Sequence, residues 1–497
     1  MRKLIYMLSA AAVLSFGTAC DDLMNTNPSE SVGSEQIFSS ASSAMTAMNG
    51  IYRAMYVAEW GPAWEHENGG IMAYILASDL MGEDHIQTKS GSGWFYYDYV
   101  YGISSDWTYS QGRQAQCWNF FYTLIANANA IIAQEKNLTD DEDMAKYVVG
   151  QAYAMRAYCY LWLVQNFQQC DPELPGVPVY TEPTTIESKG KGRGKVQDVY
   201  NRINEDIDDA IERLSATSVA QKHSSHIDQY VAQGIKARAL LVQGNYAGAE
   251  AAAVEAMKHP SAQIVPFNQT SKINDVANDN VMWGIAIQTD QSMSNAGVYA
   301  HIDPNAGTTY SDGTRFQISA WLYDTMPETD ARRAWWNEYT QEKMVYKDVS
   351  LGTGDYILMR MEEMALIAAE AACHQKNYTK AKEYVAMVVS QRDSEYEADL
   401  AKYAESNQYQ AKTSTNLFTL MDYILFQRRV ELWGEVSRAH DLKRLGLGVT
   451  RTYEYEMNNH TAPYDLDPGA PELIYAIPLT EFDGNDALDI EVDQNPL

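Results

Sequence analysis

The sequence predicts a mainly α-helical fold, a scaffold of tetratricopeptide-like helix pairs with long irregular loops mounted on it. Three observations predict it. Apolar residues recur at helical spacing in several separate stretches. Two segments, GIKARALLVQGNYAGAEAAAVEAM (234–257) and MEEMALIAAEAACHQKNYTKAKEYVAMVV (361–389), both join an Ala-rich helix to a second helix through Asn-Tyr-x-x-Ala. The tracts between the helical stretches hold most of the Trp, which argues for ordered loops, since disordered segments are poor in aromatics.

The elements follow in chain order. Arg2 and Lys3, then the apolar Leu4 to Phe16, then Gly17, Thr18 and Ala19 make residues 1–19 a secretion signal. As a helix that apolar run would rise only about 20 Å, short of the roughly 30 Å of bilayer hydrocarbon. Cys20 follows at once, and 20–34 reads as a tether ahead of one domain, 35–497. Ile37, Ala41, Ala44, Met48, Ile51 and Met55 mark the first helix. Trp118, Phe121, Ile125, Ala128 and Ile132 mark the next. Val148, Ala152, Met155, Cys159 and Trp162 then continue the pattern, and Val196, Tyr200, Ile203, Ile207, Ala210 and Leu214 line a strongly one-sided helix. The expected scaffold covers about 35–57, 113–168, 196–260, 355–392 and 415–445, leaving 58–112, 169–195, 260–354 and 446–497 irregular.

Charge and cysteines narrow the function. Asp and Glu number 66 against 37 Lys and Arg, for a net charge of −29. Nucleic acid and anionic membrane surfaces attract basic proteins, so neither is an expected partner. Cys117, Cys159, Cys170 and Cys373 show no CxxC pair and no metal spacing. Buried free thiols are expected, with a Cys159–Cys170 bridge the alternative an exported protein permits. Tyr (34) and Trp (11) outnumber Phe (11), a balance suited to boundaries where a ring needs a polar handle.

Several stretches also resemble one family. CDDLMNTNPSES with SSAMTAMNGIYRAMY is similar to the mature start and first helix of the SusD/RagB family of outer-membrane nutrient-binding lipoproteins. FYTLIANANAII, GQAYAMRAYCYLWLVQNF and GVPVY resemble its Arg-Ala helix leading into a Gly-Val-Pro loop. VQDVYNRINEDIDDAIERL, RRVELWGEVSRAHDLKRLG, YAIPLTEFDGN and the closing DQNP are similar to its later segments in the same order. Val436 stands where the family usually has Gly, and CDPELP (170–175) reads as a small insertion. The resemblance implies a surface-exposed lipoprotein acylated at Cys20. It would cap a SusC-like TonB-dependent transporter and hand it a ligand, most often an oligosaccharide, from its irregular side. Peptide binders belong to the same family. A spare thiol after ordinary signal cleavage is the other reading of Cys20.

The first candidate site is WFYYDYVYGISSDWTY (94–109), in which eight of sixteen residues are aromatic. Flat amphipathic rings stack on the C–H patches of sugars while polar neighbours meet the hydroxyls. Trp94, Tyr96, Tyr97, Trp107 and Tyr109 are the candidate stacking rings, with Asp98 and Asp106 as hydroxyl acceptors. Tyr97, Tyr99 and Tyr101 alternate, which also suits a short strand with one core face. Two further sets are Trp60, Trp64 and His66, and Trp283, Tyr299 and Trp321; for these, core packing is the competing reading. Trp335-Trp336 suits a core or an interface.

Enzymatic readings find little support. His66-Glu67, Glu362-Glu363 and His440-Asp441 have the residue types of acid–base chemistry. Adjacent helical residues do not face each other, however, and His440-Asp441 falls inside the C-terminal motif. GxSxG and HExxH are absent, and KGKGRGKV (189–196) lacks phosphate-loop spacing and reads as a solvated loop. DGNDALDIEVD (483–493) is acidic without the EF-hand order. No catalysis, cofactor or metal is expected. Arg156, Arg428, Arg438 and Asp441 are expected to form ion pairs within the frame.

Overall fold

A computed structural model describes residues 38–57, 67–87, 93–102, 107–108, 112–185, 187–269, 274–291, 297–306, 315–410, 417–452 and 460–496. Helices dominate. The first half runs α1 (Ala41–Ala54), α2 (Ile71–Leu80), β1 (His85–Gln87), α3 (Tyr96–Tyr99), α4 (Arg113–Ile132) and α5 (Glu142–Phe167). Then come α6 (Val196–Ser215), α7 (Gln229–Val242), α8 (Tyr246–Ala256), β2 (Val281–Ile285), β3 (Phe316–Ile318) and α9 (Ala320–Thr325). The rest is β4 (Tyr356–Arg360), α10 (Met361–His374), α11 (Tyr378–Val389), α12 (Tyr396–Lys402), α13 (Leu420–Glu431) and α14 (Arg438–Arg444). Short β5 (Val449–Thr450) and β6 (Asp465–Leu466) precede α15 (Leu479–Gly484) and α16 (Ile490–Asp493).

Helix pairing follows the repeats. Asn245 and Asn377 cap α8 and α11, their side chains accepting from Gly248 N at 3.1 Å and Lys380 N at 3.3 Å. Ala249 and Ala381 are fully buried, so α7 packs closely on α8 and α10 on α11, while α8 lies against α10. The 26-residue α5 is the central column, with α1, α4 and α6 around it. Its Asp141 cap accepts from Met144 N at 3.0 Å, and the apolar face of α6 from Val199 to Leu214 closes one side. Arg156 in mid-column meets Asp206 at 2.7 Å through Nε, as the sequence suggested. Arg428 likewise pairs with Asp441 at 2.8 Å and Arg438 with Glu83 at 2.8 Å.

Three departures from the sequence reading matter. Helix α2 lies inside a tract expected to be irregular. All ten of its residues are buried, eight of them apolar, so IMAYILASDL is enclosed on every side and shows no one-sided stripe. The stretch expected to be helical from 355 begins instead as strand β4, which pairs antiparallel with β2 (Ile285 opposite Tyr356) and runs straight into α10. The basic run 189–195 is only partly solvated, because Arg193 is buried and donates to Gly176 O at 2.7 Å and Pro175 O at 3.1 Å. Cys117, Cys159, Cys170 and Cys373 are free, without a 159–170 bridge. Among the described residues no helix is long and apolar enough to cross a membrane.

Candidate functional site

Strands β1 and β3 pair antiparallel, His85 opposite Ile318, and bring the start of the aromatic tract under the 297–306 segment. There α3 forms a single helical turn where the alternation of Tyr97, Tyr99 and Tyr101 also suited a strand. Two aromatic residues in the left-handed backbone region bracket that turn, Phe95 (φ 58°) and Tyr101 (φ 58°). Side chains without β-branching tolerate this conformation at a cost of about 1 kcal/mol each, and it persists only where surroundings hold it.

Those surroundings are on hand. Phe95 is buried edge-on against His301 and Phe316, with its backbone N–H donating to the Glu67 carboxylate. Arg113, the first residue of α4, donates to both Asp98 carboxylate oxygens and to Glu67 O at 2.6 Å. Burial alone would lower the Arg113 pKa, but Asp98 and Glu67 beside it raise it above its usual value. Tyr101 donates to Met81 O at 2.8 Å. Arg451 lies over the Tyr99 and Tyr101 rings at 4.5 and 4.8 Å and donates to Tyr99 O and Leu80 O. Tyr99 OH meets His460 Nδ1 at 3.1 Å. Burial, aided by Arg451, pushes His460 down to about 3, so its ring is neutral.

With one side of the turn fixed, the other faces out. Tyr97 is 59% exposed and its ring lies against Gly102, where a Cβ would come within 2.6 Å of it. Tyr96 is half-buried with its ring 6.3 Å from that of Tyr97 and inclined at 67°. Trp94 is half-buried against the core, its carbonyl accepting from Gln87 Nε2 at 3.1 Å. Tyr464, 43% exposed, packs edge-on to Tyr101 at 5.6 Å. Tyr96 and Tyr97, with Tyr464 against the neighbouring Tyr101, form an aromatic shelf on this base.

Several expected contacts lie elsewhere. Asp98 is buried and spent on Arg113, so it is a strut and no hydroxyl acceptor. Trp283 is buried in β2, donating to Ser225 O at 2.8 Å and edge-on to Tyr158. Tyr299 is buried and donates to Asp355 O at 2.9 Å. Trp321 is buried beneath Arg429 and edge-on to Phe426. These three rings pack the core and leave no face for a ligand. Trp107 is half-buried, and its carbonyl accepts from Leu479 N at 3.0 Å, tying it to the start of α15. Cys20, Trp60, Trp64, His66, Asp106 and Tyr109 lie outside the described residues. Tyr464 joins the shelf from 363 positions beyond Tyr101, and no local pattern in the sequence marks it.

The acid–base candidates are also engaged. Glu362 accepts from Arg392 at 2.8 Å and Asn280 at 3.0 Å, Glu363 from Arg238 at 2.7 Å, and His440 meets Asn166 at 2.8 Å. Trp335 and Trp336 are both buried, with the Lys343 ammonium 5.3 and 5.8 Å from their rings. Among the described residues no three His, Cys, Asp or Glu side chains come together to hold a metal.

Comparison with known proteins places this geometry in context. A family model described as starch-binding and associating with outer membrane matches residues 73–241, and the model of the SusD family matches 307–475. SusD-like protein P2 of Formosa agariphila is 23% identical over 492 residues, covering 89% of this chain and 91% of that protein. A SusD-like carbohydrate binding protein from Bacteroides vulgatus superposes with a TM-score of 0.74 at 23% identity, over 92% of this chain and 98% of that one. A SusD superfamily protein from Bacteroides thetaiotaomicron gives 0.72 at 21% identity, over 92% and 100%.

Proposed function

Because the chain belongs to the SusD/RagB family, we propose that it is a cell-surface lipoprotein that holds an oligosaccharide unaltered and passes it to a TonB-dependent outer-membrane transporter. One observation carries the ligand class: Tyr97 stands 59% exposed on a one-turn helix whose inner side is locked by Asp98 and Arg113. A ring held this way loses little entropy when a sugar stacks on it. Tyr96 lies beside that ring, and Tyr464 packs on the neighbouring Tyr101. A solved relative described as carbohydrate binding supports the class.

Binding without cleavage fits the fate of the carboxylates, since Glu362 and Asp441 each answer a buried arginine and Glu363 answers the half-buried Arg238. A glycosidase needs two carboxylates facing a sugar across about 5–10 Å. Anchoring through acylated Cys20 after removal of 1–19 belongs to the same reading and is supported by LSFGTACDDL.

Calorimetric titration of the purified protein against oligosaccharides and peptides tests this. A glycan is expected to bind, with affinity falling about tenfold in Tyr97→Ala, the worth of one stacking ring. Equal affinity in Tyr97→Ala and Trp94→Ala would remove the site. Heat from peptides alone would change the ligand class, and product formation would end the non-catalytic reading.

A further inference from the structure

A second concavity, of about 600 Å3, lies between the outer face of α4, the 180–184 and 188–191 segments and α15. Its size is that of a small-molecule pocket. Asn119, Thr123 and Asn127 recur every four residues along α4 and so share one line of its outward face. The Asn119 and Asn127 side chains are exposed and have no partner among the described residues. Tyr122 and Tyr180, half-buried, contribute ring surface.

The walls are fixed. Tyr122 donates to Pro178 O at 2.7 Å, and Asn129 to Tyr180 O at 3.1 Å and Glu182 O at 3.2 Å. Tyr180 N donates to Tyr160 OH at 2.7 Å. On the other side Trp118 Nε1 donates to Glu481 at 3.0 Å, and Asn485 bridges Glu481 and Lys191 O at 2.8 and 3.0 Å. Every wall is therefore tied to a buried or half-buried anchor before any ligand arrives, which lowers the entropy cost of binding.

Charge is the third feature. In a chain of net charge −29, residues 188–197 hold Lys189, Lys191, Arg193 and Lys195 and no acid. Arg193 is buried, Lys195 pairs with Glu173, and Lys191 Nζ donates to Val179 O at 3.0 Å. Lys189 alone of the four is exposed without a partner among the described residues, and it lines the concavity. Glu182 and Glu481 lie on the same walls, which disfavours a multiply charged anion.

We infer that this concavity is a second saccharide site, which takes a glycan unit bearing one singly charged anionic substituent, a carboxylate or a sulfate ester, met by Lys189. The inference rests on the glycan reading for its ligand class, and on the α4 groove for its place. Unpaired amides and hydroxyls read the sugar hydroxyls, the tyrosine rings supply contact area, and Lys189 selects for charge.

The test is titration of the full mature protein with oligogalacturonate, oligomannuronate and glucuronoxylan hexasaccharides, a sulfated carrageenan hexasaccharide, and neutral maltohexaose. At least one acidic glycan is expected to bind the wild type and Tyr97→Ala alike. Asn127→Trp, an exposed substitution that fills the groove, should abolish that binding while leaving thermal unfolding unchanged. Lys189→Ala should weaken it about tenfold, the worth of one charge-assisted hydrogen bond, and should remove most of its salt dependence. The carboxylate and sulfate arms identify the substituent. Absence of acidic-glycan binding, binding indifferent to Asn127→Trp, or equal binding of maltohexaose at the groove would overturn the inference. Loss of binding in Tyr97→Ala with no effect of Asn127→Trp would overturn it while leaving the aromatic shelf intact. Groove binding with a shelf indifferent to Tyr97→Ala would do the reverse.

Discussion

Arg113 donates from Nε to Asp98 Oδ1 at 3.0 Å and from a second guanidinium nitrogen to Oδ2 at 3.1 Å, joining the start of α4 to the turn that carries Tyr97. Both partners are buried, so the pair is a strut beneath an exposed ring. Removing one partner leaves the other charged and dry. Asp98→Ala is expected to lower unfolding stability by about 3–5 kcal/mol, whereas Tyr97→Ala at the exposed end should change it by no more than about 0.5 kcal/mol. Denaturant titration of the two variants checks the contrast, and equal losses would place Tyr97 in the core.

Glu431 is the hub of the buried network, accepting from Arg332 at 3.2 Å, Arg360 at 3.0 Å and Arg392 at 3.0 Å. Glu431→Gln keeps the shape and removes the charge that three guanidinium groups share. An expected loss of about 3–5 kcal/mol should appear as a lower denaturant midpoint with unchanged slope. A neutral result would mean that Glu362 and Glu435 carry the network alone.

The alkaline limb of stability is set in part by Lys343. Burial pushes its ammonium down to about 8, though Glu435 opposes the shift, and it donates to Trp433 O at 2.8 Å. Between about pH 8 and the usual 10.5 the unfolded chain binds a proton that the folded one has lost. Stability from this group therefore rises with pH across that window, by about 1.4 kcal/mol per unit for a whole proton. Lys443, also pushed to about 8 by burial, adds in the same direction. Lys343→Met should flatten the stability-against-pH curve between 8 and 10, measured by urea unfolding; an unchanged slope would contradict the assignment.

At the acid end Glu370 acts oppositely. Burial would raise its pKa, but Arg444 and His374 hold it down to about 2. Its contribution is complete above the ordinary 4.5 and is lost as pH falls toward 2, because the unfolded chain takes up the proton first. Glu370→Gln should lower stability at neutral pH and reduce its fall between pH 4.5 and 2. Thermal unfolding across that range reads both effects.

Where one helix face is buried and the other wet, the pattern was plain: α6 was legible from Val196 to Leu214, and the Asn-Tyr turns gave both repeat pairs. Helix α2 was not legible, because burial on all sides erases periodicity. Strands of two to five residues are too short to show alternation. At the candidate site, the aromatic tract does leave Tyr97 exposed, yet Trp283, Tyr299 and Trp321 show that a ring in an irregular stretch can still be core. Asp98 is taken by a residue fifteen positions on, and Tyr101 meets Tyr464 far along the chain; neither link leaves a local trace.

Those distant links set a timetable for folding. Asp84 waits for Arg429 at 2.9 Å, Leu80 and Tyr99 for Arg451, and Phe167 for the amide of Asn495. Contacts spanning more than three hundred residues close slowly, since the loop entropy must be met first. Helix α2, mostly apolar and buried on every side, packs on α14, so a chain halted before Arg438 would leave that face of α2 uncovered. Truncation from the C-terminus should therefore give sticky, incompletely folded protein, however intact its repeat helices are. The shelf is complete only once Tyr464 is in place, though Trp94, Tyr96 and Tyr97 are made early.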